Sequence, residues 1–163
     1  MLIGIFGDFG KGKTLLLVFF LKYLEYTNKF ANFRVNIPNI KTLSLNELLS
    51  MNYEQKSLVC IDELYLEMDS RRSMRKRNID ISHIVFQSRK RKVDIIYASQ
   101  LRSSIDLRIR DLTNFNIIAL GKDSDDNFHY YILENDSEFI IPNFIVKELY
   151  SLYNTYEIIE ELK

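Results

Sequence analysis

Tryptophan is absent from this 163-residue sequence, cysteine occurs once, and proline and histidine occur twice each. The lone Cys60 excludes an intrachain disulfide. With only His83 and His129 beside it, no Cys/His zinc cage of familiar spacing can form. A reducing interior, the cytoplasm, is the implied compartment. Long apolar runs are also missing. Leu15 to Leu21 is too short to cross a bilayer, which takes roughly 20 residues, so no membrane insertion of the chain's own is expected. The first apolar run, Leu2 to Phe6, has no basic leader before it and no small-residue cleavage site after it, unlike a signal peptide. Lys plus Arg equal Asp plus Glu at 22 each, which excludes a uniformly basic nucleic-acid coat. No internal repeat, low-complexity tract or flexible linker is visible.

What is present suits one folded domain over 1–163. Hydrophobic residues make up 47% and charged residues 27%, enough for a buried core in a chain of single-domain length. Leu2 to Phe6 reads as a short buried strand running into a glycine turn, and a helix from Lys13 to about Asn28 follows. Phe33 to Ile37 reads as a second strand closed by Pro38. Ser44-Leu45-Asn46-Glu47 is a capping box that opens a short helix. Leu58 to Ile61 and Val93 to Ser99 are apolar strands with polar residues at their C-terminal ends, and a helix from Ile79 to about Lys90 lies between them. The β-α-β alternation points to a mostly parallel sheet with helices on its faces, an α/β fold. A short helix around Ile105 to Leu112 leads to Phe115–Leu120 and Phe128–Leu133, two strands joined by an acidic turn. A C-terminal helix over about 142–162 completes the chain.

Gly7-Asp8-Phe9-Gly10-Lys11-Gly12-Lys13-Thr14 matches G-x-x-x-x-G-K-[ST] at every fixed position, between a strand and a helix as a P-loop requires. Glycines let successive backbone N–H groups face one anion, and the helix adds the positive end of its dipole. Gly7 and Phe9 through Leu15 are therefore the nucleotide-binding candidates: Phe9, Gly10, Lys11, Gly12, Lys13, Thr14 and Leu15 beside Gly7. Lys13 reaches the β- and γ-phosphates, and Thr14 ligates Mg²⁺. Asp8, repelled by phosphate, reads as turn-forming. Asp62, at the end of a strand downstream, is the expected partner of the Thr14-bound metal. Glu63 is then placed to take a proton from an attacking water, the step that separates hydrolysis from binding. Gln100 ends the next strand, where its amide can donate to phosphate and accept from water; capping the following turn is the other reading. No N-K-x-D guanine-reading motif follows the later strands, so the nucleotide is read as ATP.

The zero net charge hides an asymmetry. Residues 71–110 carry twelve basic and three acidic side chains, leaving the rest of the chain at −9. Arg71, Arg72, Arg75, Lys76 and Arg77 follow directly on the metal strand and suit salt-dependent contact with a phosphate backbone. Pairing with the acidic tail of the same or an adjacent subunit is the alternative. Arg89, Arg108 and Arg110 are candidates for an arginine that neutralises transition-state charge on a neighbouring subunit's nucleotide; salt bridging is the plainer role. Cys60, His83 and most of the 10 Tyr and 11 Phe read as packing residues.

The succession of Gly7–Thr14, Leu58-Val59-Cys60-Ile61-Asp62-Glu63, Gln87-Ser88-Arg89-Lys90-Arg91, Asp94-Ile95-Ile96-Tyr97-Ala98-Ser99-Gln100 and Ile105-Asp106-Leu107-Arg108-Ile109-Arg110 resembles the FtsK–HerA group of P-loop ATPases. Within that group it is most similar to small viral genome-packaging ATPases and the zonular-occludens-toxin-like proteins of filamentous phages. The similarity covers about residues 2–121, with the hairpin and helix of about 122–163 appended. It implies an ASCE, RecA-like P-loop NTPase fold of strand order 5-1-4-3-2, ATP and Mg²⁺ as cofactors, and double-stranded DNA as partner. It also implies a homo-oligomeric ring, hexameric or pentameric, with capsid or membrane assembly proteins as further partners. Nuclease and membrane-spanning segments found in parts of that group have no counterpart here. The function expected is an ATP-driven DNA-translocating motor. A small-molecule kinase and a nucleotide-dependent segregation switch are the alternatives.

Overall fold

The computed structural model describes residues 1–54, 56–64, 88–90, 92–105 and 107–154. Its centre is an eight-stranded sheet: β1 (Leu2–Phe6), β2 (Asn28–Ala31), β3 (Ile40–Thr42), β4 (Ser57–Ile61), β5 (Val93–Ser99), β6 (Phe115–Lys122), β7 (Phe128–Ile132) and β8 (Ser137–Ile141), in the order β3-β2-β4-β5-β1-β6-β7-β8. From β3 to β6 every neighbour is parallel, and β7 and β8 add on antiparallel. Read from β6 inward to β2, the parallel part is the 5-1-4-3-2 order. Helix α1 (Lys13–Tyr23) lies on one face, with α2 (Leu45–Ser50) and α3 (Leu107–Leu112) on the other, and α4 (Asn143–Tyr150) packs beside α1.

The period of two along each strand divides the core. Ile3, Ile5, Leu58, Cys60, Ile96 and Ala98 meet Leu16, Leu17 and Leu21 of α1. Phe6, Val59, Ile61, Ile95 and Tyr97 meet Leu45, Leu48, Ile105 and Ile109 on the opposite face. Central strands buried on both faces are continuously apolar, as β1 and Leu58–Ile61 of β4 are. The capping box forms as expected: the Ser44 hydroxyl accepts from the Glu47 N–H, and the Glu47 carboxylate accepts from the Ser44 N–H at 2.8 Å. Lys22 pairs with Glu148, and the Tyr23 hydroxyl donates to the same carboxylate at 3.0 Å, tying α1 to α4.

Three expectations are corrected. Helix α1 stops at Tyr23 rather than near Asn28, because Leu24 turns extended while Lys29 Nζ donates to the Leu21 carbonyl at 2.7 Å. The second strand is Asn28–Ala31, not Phe33–Ile37. Phe33, Val35 and Ile37 alternate like a strand because they cover the α1-side core, but they join no ladder. The C-terminal unit has a third strand, β8, ahead of its helix, and α4 begins at Asn143. The helix expected over 79–90 falls mostly outside the described residues, with 88–90 helical; the last helix, expected to run to about 162, ends at Tyr150, and residues 155–163 lie outside the described residues as well. Among the described residues no helix is long and apolar enough to cross a membrane.

Leu16, fully buried between α1 and the sheet, and Phe144, 73% exposed, give a contrast in stability. Leu16→Ala is expected to cost about 2–5 kcal/mol in urea unfolding. Phe144→Ala should stay within about 0.5 kcal/mol of the parent.

Candidate functional site

The P-loop spans the gap between the end of β1 and the start of α1. Two of its glycines are required by close approach. A Cβ on Gly7 would sit 2.7 Å from the Ala119 carbonyl oxygen of β6, and one on Gly12 would collide with the Phe128 ring of β7. Gly12 also holds φ +91 as the N-cap of α1, a left-handed conformation costly for any residue with a Cβ. No side chain caps this helix and no acidic residue stands in its first turn, so its N–H groups and the positive end of its dipole are open to an anion.

Lys13 is only 5% exposed, and its ammonium donates to the carbonyls of Gly7 at 2.8 Å and Asp8 at 3.0 Å. A cation buried against neutral acceptors is a standing demand for negative charge. Thr14 Oγ1 donates to Asp62 Oδ2 at 2.6 Å, joining the first turn of α1 to the end of β4. Asp62 is 4% exposed. Burial pushes its carboxyl pKa up, against the Thr14 and Glu63 hydrogen bonds and the Lys13 charge. The adjoining hydroxyl and carboxylate are the hard oxygen donors Mg²⁺ takes. That ion needs one or two carboxylates and fills its other positions with phosphate and water. Among the described residues no cluster of three or more His, Cys, Asp or Glu competes as a metal site. The residues present therefore fit a magnesium–triphosphate ligand.

Glu63 follows in a left-handed conformation, φ +50, of the sparsely populated kind that clusters at functional sites. Its Oε2 is buried without a hydrogen-bond partner. Burial and then the neighbouring Asp62 charge raise its pKa, with Lys13 opposing. Gln100, half-buried at the end of β5, accepts from the Gly7 N–H through its backbone carbonyl at 3.3 Å, so β5 anchors the root of the loop.

The remaining candidates divide. Phe9 is 72% exposed with its ring over the Lys13 ammonium, Asp8 turns the loop by accepting from the Lys11 N–H at 3.3 Å, Lys11 lies over Gly121, and Leu15 is core. Gly10 has open space around its Cα. Arg89 and Arg108 are exposed. Arg110 is half-buried on the face opposite α1, its Nε lacking a partner and its charge acting on the Tyr97 hydroxyl. Arg71, Arg72, Arg75, Lys76 and Arg77 lie outside the described residues.

Two site residues have no sequence-level signal. The Tyr130 hydroxyl donates to the Gly12 carbonyl at 2.8 Å, across 118 residues, from a ring stacked on Phe139. The hairpin β6–β7 is thus a wall of the P-loop rather than an appendage. Asn32, one residue past β2, hydrogen-bonds both the N–H and the carbonyl of Asp62.

No family model matches the sequence, and neither does any curated protein. Solved structures do. The N-terminal domain of zonular occludens toxin from Neisseria meningitidis superposes with a TM-score of 0.67 at 18% identity, covering 94% of this chain and 98% of that one. B204, the DNA-packaging ATPase of Sulfolobus turreted icosahedral virus, gives 0.57 at 11% identity over 85% of this chain and 95% of its own. The flagellar accessory protein FlaH of Methanocaldococcus jannaschii gives 0.54 at 13% identity over 86% and 84%. These likenesses establish the α/β fold of a P-loop NTPase and agree with the resemblance drawn from the motifs. The B204 protein of the second such virus has been solved with ATP-gammaS and, separately, with AMPPCP.

Because Lys13 is a buried cation whose contacts among the described residues are neutral carbonyls, Lys13→Met should leave the melting temperature unchanged or raised. A fluorescent ATP analogue should bind it at least about 10- to 100-fold more weakly, reflecting lost charge-assisted hydrogen bonds. Calorimetry and fluorescence titration check the two halves.

Proposed function

We propose that this chain is a Mg²⁺-dependent ATP hydrolase that drives double-stranded DNA through a ring of its own copies, as in viral genome packaging or DNA pumping in the cytoplasm of a host. The observation that carries the hydrolase reading is the Thr14–Asp62 contact with Glu63 beside it, one carboxylate oxygen buried and free to accept. Magnesium, when bound at Thr14 and Asp62, offsets charge on the phosphate oxygens. The N–H groups of Gly10 through Leu15 and the Lys13 ammonium hold the triphosphate. Glu63 accepts the proton of a water whose oxygen attacks the γ-phosphorus, while the bond to the β-phosphate oxygen breaks and ADP leaves. A kinase would instead place its base against the hydroxyl of a second bound substrate.

Gln100 is placed on the strand that anchors the loop and suits a sensor of the γ-phosphate. Arg89 and Arg108, exposed, suit action on a neighbouring copy in a hexamer or pentamer; Arg110, half-buried, suits it less. The DNA grip is assigned to Arg71, Arg72, Arg75, Lys76 and Arg77, by their charge and their position after the metal strand. Capsid or membrane assembly proteins are the partners such a motor requires. The likeness to a DNA-packaging ATPase supports this reading.

Phosphate release from ATP and Mg²⁺ without any acceptor is expected, stimulated by double-stranded DNA. Glu63→Gln should lower kcat by about 10²–10⁴ while nucleotide still binds; retained turnover rejects the base. Charge reversal at Arg75 and Arg77 should weaken DNA binding and flatten its salt dependence, by about 0.9 in log–log slope per lost phosphate contact. Nucleotide affinity should not change; equal loss of both would reject the grip.

A further inference from the structure

Asn32 stands where β2 runs out beside β4. The parallel ladder between them ends at Ala31 and Cys60, and the Asn32 N–H makes one last bond to the Cys60 carbonyl at 3.3 Å. From there the side chain continues the ladder. Its Nδ2 donates to the Asp62 carbonyl at 2.9 Å, and its Oδ1 accepts from the Asp62 N–H at 2.7 Å. The carboxamide thus copies a strand peptide and grips both backbone polar groups of Asp62. Asn32 is 8% exposed and both bonds to Asp62 are buried.

The grip bears on the residue that follows. Asp62 Oδ1 accepts from the Glu63 N–H at 3.0 Å, and the Leu64 N–H donates to Ala98 of β5 at 3.0 Å. Glu63 is therefore a single left-handed residue held between two fixed points: the Asp62 peptide clamped by Asn32, and Leu64 pinned to β5. A strained conformation persists only where its surroundings over-determine it. Two hydrogen bonds made by the planar Asn32 carboxamide, with the N–H and the carbonyl on either side of the Asp62 Cα, supply that determination.

We infer that Asn32 is a positioning residue for hydrolysis, which aims the Glu63 carboxylate by fixing the Asp62 peptide; this inference rests on the reading of Glu63 as the base. A side chain that merely satisfied buried backbone groups would affect stability alone. A positioning residue lowers turnover in the folded protein and does so through Glu63. A displacement of about 1 Å at a reacting group can cost about 10²-fold.

The test is phosphate release from ATP and Mg²⁺ by the full chain, with fluorescent ATP-analogue affinity and circular dichroism measured alongside. Four proteins are compared: the parent, Asn32→Ala, Glu63→Gln and the double variant. Asn32→Ala is expected to lose about 10- to 100-fold in kcat, with KM and analogue affinity within about threefold of the parent. Little further loss is expected when Asn32→Ala is added to Glu63→Gln, the non-additivity of residues acting as one unit. Unchanged kcat in folded Asn32→Ala, or full additivity in the double variant, overturns the inference while leaving Glu63 in its role. Retained turnover in Glu63→Gln overturns both together. Should Asn32→Ala fail to fold, Asn32→Asp decides by the same readouts, since it keeps the shape and the acceptor for the Asp62 N–H but removes the Nδ2 donor.

Discussion

The hydrogen bond from Thr14 to Asp62 brings the first turn of α1 against the end of β4, and the rest of the site depends on it. The two residues are 48 apart in sequence and come together only because β4 and β1 flank β5 in one parallel sheet. In such a sheet all C-terminal strand ends open on the same edge, and ligands of open α/β sheets bind there. The loop after β1, the acidic pair after β4 and Gln100 after β5 share that edge. Burial then sets the electrostatics. Lys13 is enclosed with carbonyls for company and Asp62 is enclosed with a hydroxyl, a burial of both signs of charge whose desolvation cost a magnesium–triphosphate ligand would relieve.

Around this edge the fold supplies supports from three directions. From β6 and β7 come the Ala119 carbonyl, the Phe128 ring and the Tyr130 hydroxyl, which press on Gly7 and Gly12 and shape the loop from the side opposite the acidic pair. From β5 comes the bond that anchors Gly7, and from the end of β2 the carboxamide that grips Asp62. The antiparallel extension is therefore one wall of the P-loop. Its far end is braced in turn: Asn127 in the β6–β7 turn accepts from the Asn143 N–H at the start of α4, and α4 is tied to α1 by Glu148.

Much of the fold was legible because local rules carry it. Strands buried on both faces read as apolar runs, so β1 and Leu58–Ile61 of β4 stand out, β5 and β6 are apolar runs broken by single polar residues such as Asp94 and Asn116, and the Ser44–Glu47 capping box marks the start of α2 by chemistry alone. Phe33, Val35 and Ile37 misled because alternation reports a buried stripe and not a ladder; those residues face the core while their backbone pairs with no strand. β8 escaped notice because an edge strand of five residues with exposed Glu138 and Ile140 has a weak pattern of its own.

The backbone form of the Gly7–Thr14 loop was determined by the sequence itself, since a contiguous motif between a strand and a helix encodes its own geometry through glycine, lysine and hydroxyl at set spacings, and Asp62–Glu63 stood out as the polar end of an apolar run. The roles of Asn32 and Tyr130 were decided by tertiary structure alone. Each acts through a hydrogen bond to a backbone group 30 and 118 residues away, and backbone groups are the same in every residue, so no side-chain pattern along the chain announces which of them a distant amide or phenol will meet.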